Sequence, residues 1–131
     1  MGLVKILLDT CAFLWLALEP RRLSRAAAAA LDDGDNDLHL SDASVFEIVM
    51  KHRTGKLPLP AAPRSWLPSR IAFFKVQPIR IEAEAIYRSG ELPPVHADPF
   101  DRLLAAQALI GPFQFVTPDP PFRAYGVDCI W

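Results

Sequence analysis

The apolar run Leu3 to Leu8 stops abruptly at Asp9-Thr10, and that junction constrains the fold more than any other stretch of the chain. A run this short and this rich in β-formers reads as a strand buried on both faces, the kind found in parallel sheets covered by helices. The next segment, Phe13 to Leu18, is apolar on most sides and stops at Glu19-Pro20, because proline disfavours helix in the residue before it. Asp9 interrupts the apolar stretch, and Cys11 to Leu18 is too short to cross a bilayer. No small-residue cleavage site follows it. The stretch is therefore read as a strand running into a helix, and the protein is placed in the cytoplasm without membrane contact.

The same alternation continues along the chain. Ser24 caps a helix through the alanine run to Leu31, closed by the turn-rich Asp32 to Asn36. Leu38 to Leu40 reads as a strand, after which Ser41 or Asp42 caps a helix that Gly55 ends. Proline-rich Leu57 to Pro68 reads as a connection, followed by an amphipathic helix over Trp66 to Phe74. Val76 to Ile81 reads as a strand, Glu82 to Ser89 as a short helix and Gly90 to Pro94 as a loop. Asp98 to Ile110 is the clearest helix, opened by Asp98 and Pro99. Phe113 to Val116 and Val127 to Trp131 complete the strands. Strands alternating with helices imply one three-layer α/β domain over residues 1–131, with a mostly parallel sheet of about four to five strands and helices on both faces.

A content of 51% apolar and 22% charged residues is that of a chain that folds, and 131 residues bury one core without a disulfide. Cys11 and Cys129 are accordingly read as free thiols. The net charge of -1 excludes a protein whose whole surface attracts nucleic acid. Its distribution is uneven. Between Ala43 and Arg80 the one acid is Glu47, against Lys51, Arg53, Lys56, Arg64, Arg70, Lys75 and Arg80. That segment is either a basic face beside an acidic site or an ordinary solvated surface.

In open parallel sheets, functional residues gather where the strands end, because the loops leaving those ends surround a crevice. Asp9 follows the first strand and Asp119 the fourth; Glu47 and Asp101 each lie one turn into a helix. Each has an ordinary alternative: a cap for Asp9, a turn former between two prolines for Asp119, a solvated helix face for Glu47 and Asp101. Glu47 and Asp101 sit among apolar neighbours, where an isolated charge is costly to bury. Four clustered carboxylates repel one another unless a cation neutralises them, and an all-oxygen set suits Mg²⁺ or Mn²⁺. Such a centre binds phosphate oxygens and supports metal-assisted hydrolysis of a phosphodiester.

Taken together, Leu7-Leu8-Asp9-Thr10, Ser44-Val45-Phe46-Glu47-Ile48, Asp98-Pro99-Phe100-Asp101-Arg102-Leu103-Leu104-Ala105-Ala106-Gln107-Ala108 and Val116-Thr117-Pro118-Asp119 resemble the PIN domain family. Within it, the length of the chain is similar to that of the VapC-type toxins of toxin-antitoxin pairs. The resemblance implies a Mg²⁺-dependent endoribonuclease in which Asp9, Glu47, Asp101 and Asp119 are both the metal ligands and the catalytic acids. It implies support for them from the hydroxyls of Thr10, Ser44 and Thr117, which otherwise read as helix caps, and an accessory role for Asp98 at the edge of the site. Lys51, Arg53, Lys56 and Arg102 are the candidate contacts to the RNA backbone. His52 and His96 read as structural or solvated rather than catalytic.

The resemblance further implies a cognate antitoxin that occupies the active-site groove, and self-association into a homodimer. Trp15, Leu16, Trp66, Phe73 and Phe74 are either core or apolar patches for such contacts. Two other classes of function share these residues: a PIN-fold binding module without catalysis, and a metal-dependent phosphohydrolase or DNase.

Overall fold

The structure, a computed structural model, describes residues 4–131. The Leu3 end of the expected first strand lies outside them. In chain order the elements are β1 (Lys5–Leu8), α1 (Thr10–Leu18), α2 (Arg25–Asp32), β2 (Asp37–Ser41), α3 (Asp42–Arg53), α4 (Pro63–Phe73), β3 (Gln77–Ile79), α5 (Ala83–Glu91), α6 (Pro99–Ile110), β4 (Gln114–Val116) and β5 (Asp128–Ile130). Short 3₁₀ turns span Pro20–Arg22 and Pro120–Tyr125. No helix among the described residues is long and apolar enough to cross a membrane.

The strands form one five-stranded sheet in the order β3-β2-β1-β4-β5, and every pairing is parallel. All five carboxyl ends therefore open on one edge. From β1 the chain builds outward through β2 and β3, then crosses back to add β4 and β5 on the other side. The order reverses at β1 and β4, which opens a crevice beyond their carboxyl ends. Asp9 leaves β1 at that point and Thr117 leaves β4 beside it, with Leu8 paired to Val116.

Alternation along β1 sends Ile6 and Leu8 to one face of the sheet and Leu7 to the other, all three fully buried. The Ile6 and Leu8 face packs against Phe13 of α1, Ala27 of α2 and Trp66 and Leu67 of α4. The Leu7 face packs against Leu104, Ala105 and Ala108 of α6, with Phe115 and Phe122. Covering both faces explains why β1 carries no alternating polar residue after Lys5. Each fully buried leucine or phenylalanine contributes roughly 1.5–3 kcal/mol.

Several boundaries differ from the sequence expectation for identifiable reasons. Helix α4 begins at Pro63 rather than Trp66, since proline at the first helical position sacrifices no helical hydrogen bond; buried Trp66 and Leu67 then hold the helix through Pro68. β3 is confined to Gln77–Ile79, a short edge strand of the kind that tolerates its central Pro78. Helix α5 continues through Gly90 to Glu91, where a loop is expected. The group that closes it is Arg102, whose guanidinium donates to the carbonyls of Ser89, Leu92 and Pro93 at 2.7–3.0 Å. These carbonyls lie at the helix end and just beyond, where partners are lacking and a cation is favoured. Arg102 thus closes a helix, a use that its sequence reading as an RNA contact does not include.

Trp66 is buried edge-on to Phe13, Trp15 packs on Trp131 beneath Arg22, and Phe74 joins the core. Phe73 alone of the expected apolar surface residues is strongly exposed, at 66%. Cys11 and Cys129 are both free thiols.

Candidate active site

Asp9 and Asp98 reach the crevice as helix caps. The Asp9 carboxylate accepts from the Thr10 backbone N–H through Oδ1 (2.7 Å), which leaves Oδ2 to accept from the Thr117 hydroxyl (2.7 Å). Capping and site membership, alternatives from sequence alone, are served by the two oxygens of one group. Asp98 caps α6 by accepting from the Phe100 N–H (2.9 Å), and Asp101 follows within the first turn. A cavity of about 240 Å³ is lined by the carboxylates of Asp9, Glu47, Asp98, Asp101 and Asp119, together with Thr10, Cys11, Leu14 and Lys51.

On the α3 wall, Thr10 Oγ1 lies 2.8 Å from Glu47 Oε1 and 2.9 Å from Ser44 Oγ. One hydroxyl proton serves one acceptor at a time, so the three side chains form a chain of hydrogen bonds that orients Glu47. The other Glu47 oxygen accepts from Lys51 Nζ at 2.6 Å, one helical turn along α3. That bond pushes the Lys51 ammonium upward from its ordinary range.

On the α6 wall the charges are less well matched. Burial raises the Asp101 carboxyl to about 7, with further upward pressure from Asp98, Asp9 and Glu47 against a lowering by His96. Burial likewise raises Asp9, although hydrogen bonds from Thr117, Thr10 and Cys11 oppose it. The Cys11 thiol, 3.6 Å from Asp9 Oδ2, is pushed far up by burial and by the adjacent carboxylate. That keeps it protonated and a poor nucleophile. Five carboxylates around one cavity, with Lys51 beside Glu47 on its wall, are the donor chemistry of a hard divalent cation, so these residues fit one.

His96 was expected to be structural or solvated, yet its Nε2 lies 3.0 Å from Asp101 Oδ2 and 3.2 Å from Asp119 Oδ2. The sequence offers little to flag it beyond its place two residues before the Asp98 cap. His52 is structural, its ring 3.0 Å from the Leu57 carbonyl. Among the expected RNA contacts, Lys51 lines the cavity, whereas Arg53 and Lys56 are exposed at and beyond the end of α3.

The family model of the PIN domain matches residues 6–127. This chain belongs to the PIN domain family. It is 30% identical over 122 residues to Ribonuclease VapC22 of Mycobacterium tuberculosis, covering 92% of this PIN domain and 91% of that protein. Among solved structures, the fold is similar to VapBC2 from Rickettsia felis bound to a DNA fragment from its promoter. There the TM-score is 0.68 at 16% identity, over 98% of this chain and 100% of that one. It is also similar to a toxin-antitoxin complex from Klebsiella pneumoniae, with a TM-score of 0.63 at 18% identity over 96% of each chain. These likenesses concern the fold, including the parallel sheet whose edge carries the crevice.

Proposed function

We propose that this PIN domain is a divalent-cation-dependent endoribonuclease that hydrolyses RNA phosphodiester bonds and acts as the toxin of a toxin-antitoxin pair. The observation that carries the reading is the convergence of Asp9, Glu47, Asp101 and Asp119 on one cavity at the reversal point of the sheet. The similarity to Ribonuclease VapC22 supports RNA as the substrate, and the likeness to toxin-antitoxin complexes supports an antitoxin partner.

In this reading Asp9, Glu47, Asp101 and Asp119 hold Mg²⁺ or Mn²⁺. When bound, the cation supplies Lewis-acid polarisation of a phosphoryl oxygen and acidification of water. Thr10 and Ser44 fix the direction of Glu47, and Thr117 fixes that of Asp9. Asp98, on the cavity wall beside Asp101, adds negative charge that strengthens cation binding. Lys51, half exposed at the rim, presents a positive charge to the scissile phosphate, and Arg53 and Lys56 extend that charge toward the flanking backbone. The protein works in the cytoplasm, as a homodimer.

The test is incubation of the purified protein with labelled single-stranded RNA and DNA of one sequence. RNA cleavage is expected to require Mg²⁺ or Mn²⁺ and to disappear with chelator and in Asp101→Asn. Cleavage of DNA alone would replace the substrate assignment. Cleavage that survives Asp101→Asn would remove the site.

A further inference from the structure

His96 is built into the crevice from outside the carboxylate set. Its backbone N–H donates to the Tyr125 hydroxyl at 2.8 Å, its carbonyl accepts from Arg102 at 3.4 Å, and its ring leans on Phe122. The ring is thereby aimed between two acids from distant parts of the chain. One donor atom from each of His96, Asp101 and Asp119 lies within 4.8 Å of the other two. A single N–H proton at Nε2 cannot serve two carboxylate oxygens equally well, and 3.0 Å and 3.2 Å make the two nearly equivalent. A shared cation can bind all three donors. Six donors at about 2.1 Å from a small divalent ion stand about 3 Å from their nearest neighbours, close to the 3.0 Å and 3.2 Å from Nε2 to the two carboxylate oxygens.

We propose that His96 ligates the divalent cation through Nε2, so that the centre contains a nitrogen donor beside its carboxylates and favours Mn²⁺ over Mg²⁺. The inference rests on the crevice being the cation site. Imidazole binds borderline transition ions well, whereas Mg²⁺ prefers oxygen, so the histidine discriminates between two ions of the same charge.

The experiment is titration of the protein with Mn²⁺, followed by pulsed electron paramagnetic resonance of the bound ion. Wild type is expected to show coupling to a ¹⁴N nucleus that changes to the ¹⁵N pattern when histidine is isotopically labelled. The coupling is expected to vanish in His96→Asn while Mn²⁺ still binds, about tenfold more weakly or worse, with a smaller loss for Mg²⁺. Mn²⁺ that binds wild type in an Asp9-dependent manner without nitrogen coupling would overturn the role of His96 and leave the carboxylate site standing. Nitrogen coupling that persists in His96→Asn would also overturn it, since His39 or His52 would then be the source. Failure of wild type to bind Mn²⁺, or binding unchanged in Asp9→Asn, would overturn the site reading and this inference together. If His96→Asn does not fold, the His39→Gln/His52→Gln double variant decides, because His96 is then the one histidine left to give the ¹⁵N pattern.

Discussion

On the α3 wall of the crevice Glu47 is held by Thr10 and neutralised by Lys51, whereas on the α6 wall Asp101 faces Asp98 and Asp9 with His96 as its offset. The first wall pairs its charge within one helix, at a spacing that any helix provides. The second assembles its charge from a loop, a helix start and the end of a strand. A carboxylate that already has a lysine gains less from an added cation than one that is crowded by like charges. Under the proposed function, the affinity for a cation resides mainly on the α6 wall, and the α3 wall supplies orientation and a rim charge.

The contrast can be broken most directly by activity. Asp101→Asn is expected to lower RNA cleavage by roughly two to three orders of magnitude, the range seen when a preorganised electrostatic partner is removed. Lys51→Met is expected to cost about tenfold or less, mainly in substrate binding. Equal losses in a steady-state assay would mean that the two walls share the chemistry evenly.

Stability against pH sharpens the same point. With a folded value of about 7 against 3.8 for the free group, Asp101 binds its proton more tightly in the folded protein. Its stabilising contribution is complete below about pH 4 and is lost as pH rises to about 7. In chelator, urea unfolding should show wild type losing on the order of 3 kcal/mol relative to Asp101→Asn across that window, and Mg²⁺ should restore part of the loss at pH 7. A flat difference between the two proteins would mean that Asp101 is not crowded.

Arg102→Met removes the donor for the carbonyls at the end of α5 and loosens the loop that carries His96. A loss of about 2 kcal/mol in urea unfolding is expected, with faster amide exchange at residues 89–96. Unchanged exchange would show that Arg102 closes nothing. The smallest effect belongs to the α3 wall, where Lys51→Met should change stability by less than about 1 kcal/mol, because the lysine is half exposed. A larger loss in thermal or urea unfolding would make the Glu47 pair structural rather than a rim feature.

The elements legible in sequence were those whose cause is local. β1 announced itself by an apolar run ending at Asp9, α2 by the Ser24 cap and α6 by Asp98-Pro99. The part of Arg102 in closing α5 is not legible in sequence, where it reads as a candidate RNA contact, because its carbonyl partners lie up to 13 residues back. His96 was passed over because its partners include Asp119, 23 residues away. Proline-rich Leu57 to Pro68 concealed the start of α4, since a proline that ends one helix and one that opens the next look alike in sequence.

The sequence by itself determined that the chain alternates strands and helices, that its sheet is buried on both faces, and that acids follow strands at Asp9 and Asp119. Periodicity, capping and burial act over a few residues, and so they are written locally. Only the tertiary structure decided the strand order β3-β2-β1-β4-β5, and with it the crevice where Thr117 meets Asp9 across 108 residues of chain. It also decided which side chains face the acids: Arg102 closes a helix end, and His96 is brought between Asp101 and Asp119. Those outcomes depend on how helices pack on a common sheet, and no short window of sequence encodes that.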